Sequence, residues 1–175
     1  MNTARKEEHN NYNVDELLGK MTQDLTDLIQ EKKLDDPVMV GIHTAGVWVA
    51  KRLHESLNIS EPLGELNISF YRDDFGKIGL HPQIKPSKLP FSIENKHIIL
   101  VDDVLYTGRT IRAAMNELFD FGRPASITLA VLIDRGNHEL PIKAHVIGLR
   151  DKMEANSYFK LINENDKLAL NIIKL

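Results

Sequence analysis

The chain has 175 residues, 42% of them hydrophobic and 27% charged, with no cysteine and a formal net charge of −3. That length suits one domain with a full core, the lack of cysteine excludes disulfide and thiolate chemistry, and the slight negative charge argues against broad nucleic-acid binding. No run of about 18 apolar residues occurs and stretch 1–13 holds no apolar signal core, so no membrane span and a cytoplasmic setting are expected.

Residues 1–13 show no period and are expected as a flexible tail before a single domain over 14–175. From Val14, apolar residues at 14, 17, 18, 21, 25, 28 and 29 form a helical stripe, with Asp15 and Glu16 near its start and Lys32 and Lys33 at its end, both suited to the helix dipole. Asp36-Pro37 stops that helix, and Val38-Met39-Val40 reads as a short buried strand. Gly41 to Gly46 is then a loop with glycine at both ends, followed by a helix beginning around Val47. A strand, a glycine-bounded loop and a helix make a good shape for holding an anion on backbone amides, and equally an ordinary turn. Glu65 to Tyr71 alternates apolar and polar residues, the period of a strand with one wet face. From Gly76 to Pro90 the chain is rich in Pro, Gly and Lys, and a loop that long is usually functional or disordered.

Ile98 to Val101 is the pivot: four apolar residues, three of them β-branched, reading as a strand buried on both faces of a parallel sheet. Asp102 and Asp103 follow where that strand should end, and the carboxyl ends of such strands are where ligands bind. Thr107-Gly108-Arg109-Thr110 then leads into a helical pattern at Ile111, Ala114, Met115, Leu118 and Phe119. A glycine turn at a helix N-terminus offers free N–H groups and the positive end of the dipole. A phosphate cradle beside a carboxylate pair able to grip a diol describes a sugar phosphate. The plainer alternative is two exposed turn carboxylates. Gly122 is expected as a left-handed helix cap, with Pro124 blocking continuation. Ile127 to Ile133 is another buried strand, His145 to Ile147 a short one, and Tyr158 to Ile162 with Leu168 to Ile173 one or two edge strands. The alternation of strands and helices predicts an α/β fold on a mostly parallel sheet.

Val101 to Thr110 resembles the phosphoribosyl pyrophosphate (PRPP) motif of type I phosphoribosyltransferases. Continued by Gly122-Arg123-Pro124-Ala125-Ser126, Asp134-Arg135-Gly136 and Glu139-Leu140-Pro141-Ile142, it is similar to the members that regulate pyrimidine operons and are also uracil phosphoribosyltransferases. The resemblance covers roughly residues 14 to 150. It implies the type I fold, a central sheet flanked by helices, with a flexible hood at 76–90 that closes over substrate. It implies a Mg²⁺-dependent reaction of uracil with PRPP giving UMP and pyrophosphate. Asp102 and Asp103 would take the ribose hydroxyls, directly or through water on Mg²⁺. Tyr106, Thr107, Gly108, Arg109 and Thr110 would take the 5′-phosphate. Thr44, Ala45 and Gly46 would take pyrophosphate, joined by Tyr71 and Arg72 from the hood. Asp103 and Arg72 are the catalytic candidates. Leu105, Arg135 and Ile147 are candidates for the base pocket. Many relatives have arginine where this chain has Ala45, so one cationic contact is missing, with His43 or another basic residue as its replacement. The plainer readings are a surface His43, an edge-strand Tyr71 and an ordinary salt bridge for Arg72.

The competing reading is a regulator that senses UMP or UTP and binds RNA, with Arg135, Lys143 and Arg150 as its surface. The first helix counts against it, since Thr22, Gln23, Asp24 and Asp27 make that face acidic. A transferase for another base is the third reading. The resemblance also implies a homodimer or a larger homo-oligomer.

Overall fold

The computed structural model describes residues 6–9, 12–68, 86–153 and 157–174. Tyr71 and Arg72, and most of the expected hood, lie outside those residues. Among the described residues no helix is long and apolar enough to cross a membrane.

Helix α1 spans Val14–Glu31. Asn13 starts it, its side chain accepting from the backbone N–H groups of Asp15 and Glu16, so two of the donors orphaned at a helix start are satisfied. Val14, Leu18, Met21 and Leu25 form its buried stripe, the i, i+4, i+7 spacing of one helix face. The chain continues through β2 (Val38–Ile42), α2 (Ala45–Leu57) and β3 (Gly64–Leu66). Then come β4 (His97–Leu105), α3 (Arg109–Phe121), β5 (Ser126–Asp134) and β6 (Val146–Arg150). The five strands form one sheet in the order β3-β2-β4-β5-β6, every neighbouring pair parallel. The β-branched runs explain it: β2 is buried along its whole length, as is β4 from Ile98 to Asp102, as strands covered on both faces must be. Ile99 and Val101 face the layer of Met21, Leu25 and Leu53, while Ile98 and Leu100 face that of Ile111, Ala114 and Leu118. Helices α1 and α2 therefore cover one face and α3 the other.

Four local expectations are revised. Residues 6–9, expected as part of a loose tail, form strand β1 (Lys6–His9). The two C-terminal strands, β7 (Ser157–Glu164) and β8 (Lys167–Lys174), do not extend the main sheet but form a second, antiparallel one in the order β1-β8-β7. Their turn has Asn165 at φ 50° and Asp166 at φ 62°, the paired left-handed residues that match hairpin twist. Phe159, Leu161 and Leu170 carry this small sheet into the core beside α1 and α2. Strand β3 ends at Leu66, short of Asn67 and Ile68, and the rest of the alternating stretch, 69–71, lies outside the described residues. Gly122 has φ 159° and ψ −177°, extended rather than left-handed, because the chain straightens there to pass Glu94.

Candidate active site

Two helices start at the carboxyl end of the sheet from adjacent strands, α2 after β2 and α3 after β4. Neither cap residue, Thr44 or Gly108, bonds a first-turn N–H through its side chain. Each therefore directs first-turn N–H groups and a positive dipole end to the same rim, which is the electrostatic requirement for binding anions.

In the β4–α3 turn the chain reverses at Gly108, φ 92°, a conformation that penalises any side chain. A Cβ there would also sit 3.3 Å from Leu140 Cβ. The Thr107 carbonyl accepts from the N–H groups of Glu139 and Leu140, at 3.1 and 3.0 Å. Segment 139–142 thus clasps the turn from outside. Thr107 Oγ1 accepts from Arg109 N at 3.2 Å, fixing the hydroxyl at the mouth. The Arg109 guanidinium pairs with Glu139 through Nε at 3.2 Å and Nη2 at 2.7 Å. Sequence reasoning placed Arg109 on a phosphate and missed this partner; the only hint was the Glu139-Leu140-Pro141-Ile142 string.

The two acids are not equivalent. Asp102 is 2% exposed, and its Oδ1 accepts from Asp103 N at 3.0 Å. Asp103 is half-buried and is the member of the pair with surface to offer a ligand. The expectation that both open to a sugar is revised accordingly. Asp102 is covered because the β2–α2 loop lies on it. A Cβ on Gly46 would fall 2.9 Å from Asp102 Cα, Asp102 Oδ1 and Val101 O, so only glycine lets the loop approach. That contact brings Thr44, Ala45 and Gly46 beside the acid pair. Thr44 is exposed and Ala45 half-buried.

Tyr106 is 44% exposed at the rim. The Arg135 guanidinium lies 4.2 Å from the centroid of its ring, a cation–π distance, and its Nη2 donates to Ser157 O at 2.9 Å. Arg135 thus joins the β4–α3 turn to the small sheet. Leu105 and Ile147, at 1% and 7% exposure, are packed in the core on the α3 side, so any contribution to a base pocket comes from their backbone. Lys143 and Arg150 are exposed, with Arg150 Nε 3.9 Å from Asp134 Oδ2.

The donor chemistry fits Mg²⁺ presented by a substrate. Among the described residues no cluster of three or more His, Cys, Asp or Glu could hold a metal alone, but Mg²⁺ bound to phosphate oxygens needs only one or two carboxylates and water. Asp103 and, behind it, Asp102 would be the carboxylates available for that role.

Comparison with known proteins places this geometry. Residues 13–161 match the model of the phosphoribosyl transferase domain. A bifunctional protein PyrR of Nitrosococcus oceani is 55% identical over 151 residues, 85% of each chain. One from Pseudomonas syringae pv. tomato is 52% identical over 157 residues, 90% of this chain and 92% of the relative. Among solved structures, a hypoxanthine-guanine phosphoribosyltransferase from Bacillus anthracis superposes with a TM-score of 0.63 at 15% identity, over 83% of each chain. A hypoxanthine-guanine-xanthine phosphoribosyltransferase gives 0.64 at 19% identity, over 94% of this chain and 92% of the other. Those two likenesses establish the fold, and the sequence relatives establish the group within it: the chain belongs to the phosphoribosyltransferase family, among the PyrR proteins.

Proposed function

We propose that this chain is a cytoplasmic uracil phosphoribosyltransferase that joins uracil to PRPP in the presence of Mg²⁺, releasing UMP and pyrophosphate. One observation carries the reading: the packing of Gly46 on Asp102, which sets two uncapped helix N-termini on either side of an acid pair. PRPP has that pattern of groups, a phosphate at one end, a pyrophosphate at the other and a diol between.

In this reaction a base nitrogen attacks C1′ as the C1′–O bond to pyrophosphate breaks, and the nitrogen's proton is lost. Positive charge grows on the ribose ring and negative charge on the leaving group, so catalysis is positioning and charge neutralisation. Thr107, Gly108 and Thr110 with the first turn of α3 hold the 5′-phosphate, and Tyr106 borders it. Thr44, Ala45 and Gly46 with the first turn of α2 hold the pyrophosphate. Asp103 lies at the ribose, where its carboxylate favours the cationic ring and can accept the departing proton, and Asp102 orients it through the Asp103 N–H. Tyr71 and Arg72 are assigned to the closing segment, with Arg72 as a counter-charge for the leaving group. When bound, Mg²⁺ would supply charge neutralisation on phosphate oxygens, and Asp103 with Asp102 would be the carboxylates that hold it.

The test is turnover with PRPP and Mg²⁺ against uracil, hypoxanthine, guanine and orotate in turn. Uracil should be the base consumed, and Asp103→Asn should lower its turnover by about 10²-fold or more, the scale of one misplaced electrostatic contact. Turnover of a purine instead would replace the uracil assignment.

RNA binding, the second activity implied by the resemblance, has weaker support here. Arg135 is stacked on Tyr106. A cleft of about 400 Å³ between α1 and β6 is lined by Lys20, Asp24, His145, Ile147, Gly148, Leu149 and Arg150, but Lys20 donates to Asp24 and to Ile147 O. Loss of hydration, and secondarily the Lys32 charge, push the His145 imidazole below its ordinary value, which disfavours its cationic form. Lys143 and Arg150 remain. Absence of a salt-dependent shift with pyrimidine-operon leader RNA would remove this reading. Self-association belongs to the same proposal, supported by Phe119 and Phe121, 56% and 54% exposed on α3, since large exposed apolar side chains mark contact surfaces.

A further inference from the structure

The β2–α2 loop has no cationic side chain between Thr44 and Gly46, so whatever anion it holds is gripped by backbone N–H groups. Such a grip depends on where the loop sits, and a displacement of about 1 Å can cost 10²-fold in rate. Gly46 fixes the loop on one side, against Asp102. His43 fixes it on the other. Its Nε2 lies 2.8 Å from Glu65 Oε2, with the two side chains 21% and 30% exposed, and its backbone N–H donates to Leu66 O at 2.8 Å.

The Glu65 backbone is itself held in place. It exchanges two hydrogen bonds with the backbone of Lys88, at 2.8 and 2.7 Å. The segment carrying Lys88 is pinned in turn. Ser87 Oγ accepts from Asn67 N at 3.0 Å and donates to Glu117 of α3, and the Leu89 and Phe91 side chains lie 3.0 Å from where a Cβ on Gly64 would be. The imidazole is therefore tied to a sheet edge whose backbone is hydrogen-bonded to the 87–88 segment.

We infer that His43 and Glu65 are a positioning pair for the pyrophosphate subsite, setting affinity for PRPP and pyrophosphate by holding the backbone of Thr44 and Ala45 in register with Gly46. The inference rests on the transferase reading above. Nothing in it requires His43 to touch the ligand. It separates the two ends of the substrate: the pair governs the pyrophosphate end and leaves the 5′-phosphate end, held by the β4–α3 turn, unaffected.

The experiment compares the full chain with His43→Leu, Glu65→Leu and His43→Gln, measuring the Kd of pyrophosphate and of UMP with Mg²⁺ and the KM of PRPP. Both leucine variants should weaken pyrophosphate and PRPP about tenfold, the scale of one charge-assisted hydrogen bond, with UMP affinity kept within about twofold. The double leucine variant should lose less than the two single losses combined, because the two changes share the His43–Glu65 contact. His43→Gln, which retains an N–H donor for Glu65, should recover most of the loss. Equal loss of UMP and pyrophosphate would mean general damage and overturn the inference, as would unchanged pyrophosphate binding or a glutamine variant as weak as leucine. If the unaltered chain binds UMP but neither PRPP nor pyrophosphate, the transferase reading fails first, and the pair's role with it.

Discussion

The β2–α2 and β4–α3 turns share one plan, a buried strand, a short reversal and an uncapped helix, but they are furnished differently. The β4–α3 turn is rich in local chemistry: the hydroxyls of Thr107 and Thr110, the guanidinium of Arg109 paired with Glu139, a glycine at φ 92° and an outer clasp from segment 139–142. The β2–α2 turn has only Thr44, Ala45 and Gly46, and its position is set from outside by Asp102 on one flank and the His43–Glu65 pair on the other. One turn carries its own anion-binding side chains, whereas the other is positioned by its neighbours. Damage to the first should therefore be local, whereas damage to the second should come through packing.

The sharpest break is Gly46→Ala. Its Cβ would meet backbone atoms of Asp102 and Val101 at 2.9 Å, which cannot swing aside as a side-chain tip could. The loop must lift off β4. Overpacking of this kind costs about 1–3 kcal/mol of stability, and turnover should fall about 10²-fold because both the anion cradle and the acid pair shift. A melt together with steady-state kinetics checks it; wild-type kinetics would show that the contact does not set the site.

Gly108→Ala tests the other turn and should do less. Holding alanine at φ 92° costs about 1–3 kcal/mol, but the nearest foreign atoms, on Leu140 and Ile142 at 3.3–3.4 Å, are side-chain carbons with room to adjust. The KM for PRPP should rise about tenfold, equivalent to about 1.4 kcal/mol, and UMP affinity should weaken alongside it. That parallel loss distinguishes this turn from the other.

Glu139→Gln probes the charge held at the β4–α3 turn. The Arg109–Glu139 pair is exposed, 51% and 54%, so it contributes at most about 1 kcal/mol to stability. The substitution removes a carboxylate charge beside the proposed 5′-phosphate site, and the KM for PRPP should fall about threefold at low salt, an effect that salt screens away. Arg109→Ala should move KM the opposite way. If both variants weaken PRPP, Glu139 holds Arg109 in its working position.

What the sequence revealed follows the same division. The β4–α3 turn was legible because its strand run, its acids, its glycine and its helix stripe are contiguous. The close approach of Gly46 to Asp102 was not, since nothing near Gly46 distinguishes a packing glycine from a turn glycine. The Arg109–Glu139 and His43–Glu65 pairs join side chains that only the folded sheet brings together. In the small sheet, β7 and β8 were visible by alternation, but their separation from the main sheet depends on long-range register. Strand β1, Lys6-Glu7-Glu8-His9, gave no sign because its all-polar residues carry no hydrophobic period and it joins through backbone pairing to β8.

The mildest change, Ala45→Arg, would make the poorer turn resemble the richer one. A guanidinium in the first turn of α2 adds a cation beside the proposed pyrophosphate site, and arginine suits phosphate oxygens because it can donate two parallel hydrogen bonds. Two effects oppose the gain. Ala45 is half-buried against the core on the α1–α2 side, so the longer side chain must leave that contact to reach the rim. A cation at a helix N-terminus also faces the positive end of the dipole, costing about 0.3–1 kcal/mol. The expected outcome has two signs: pyrophosphate and PRPP bind about threefold more tightly, a gain of about 0.7 kcal/mol, while the ligand-free melting temperature falls slightly. Tighter binding with no loss of stability would mean that the helix dipole is already neutralised. Unchanged binding would mean that positioning by His43 and Gly46, rather than charge, limits this subsite.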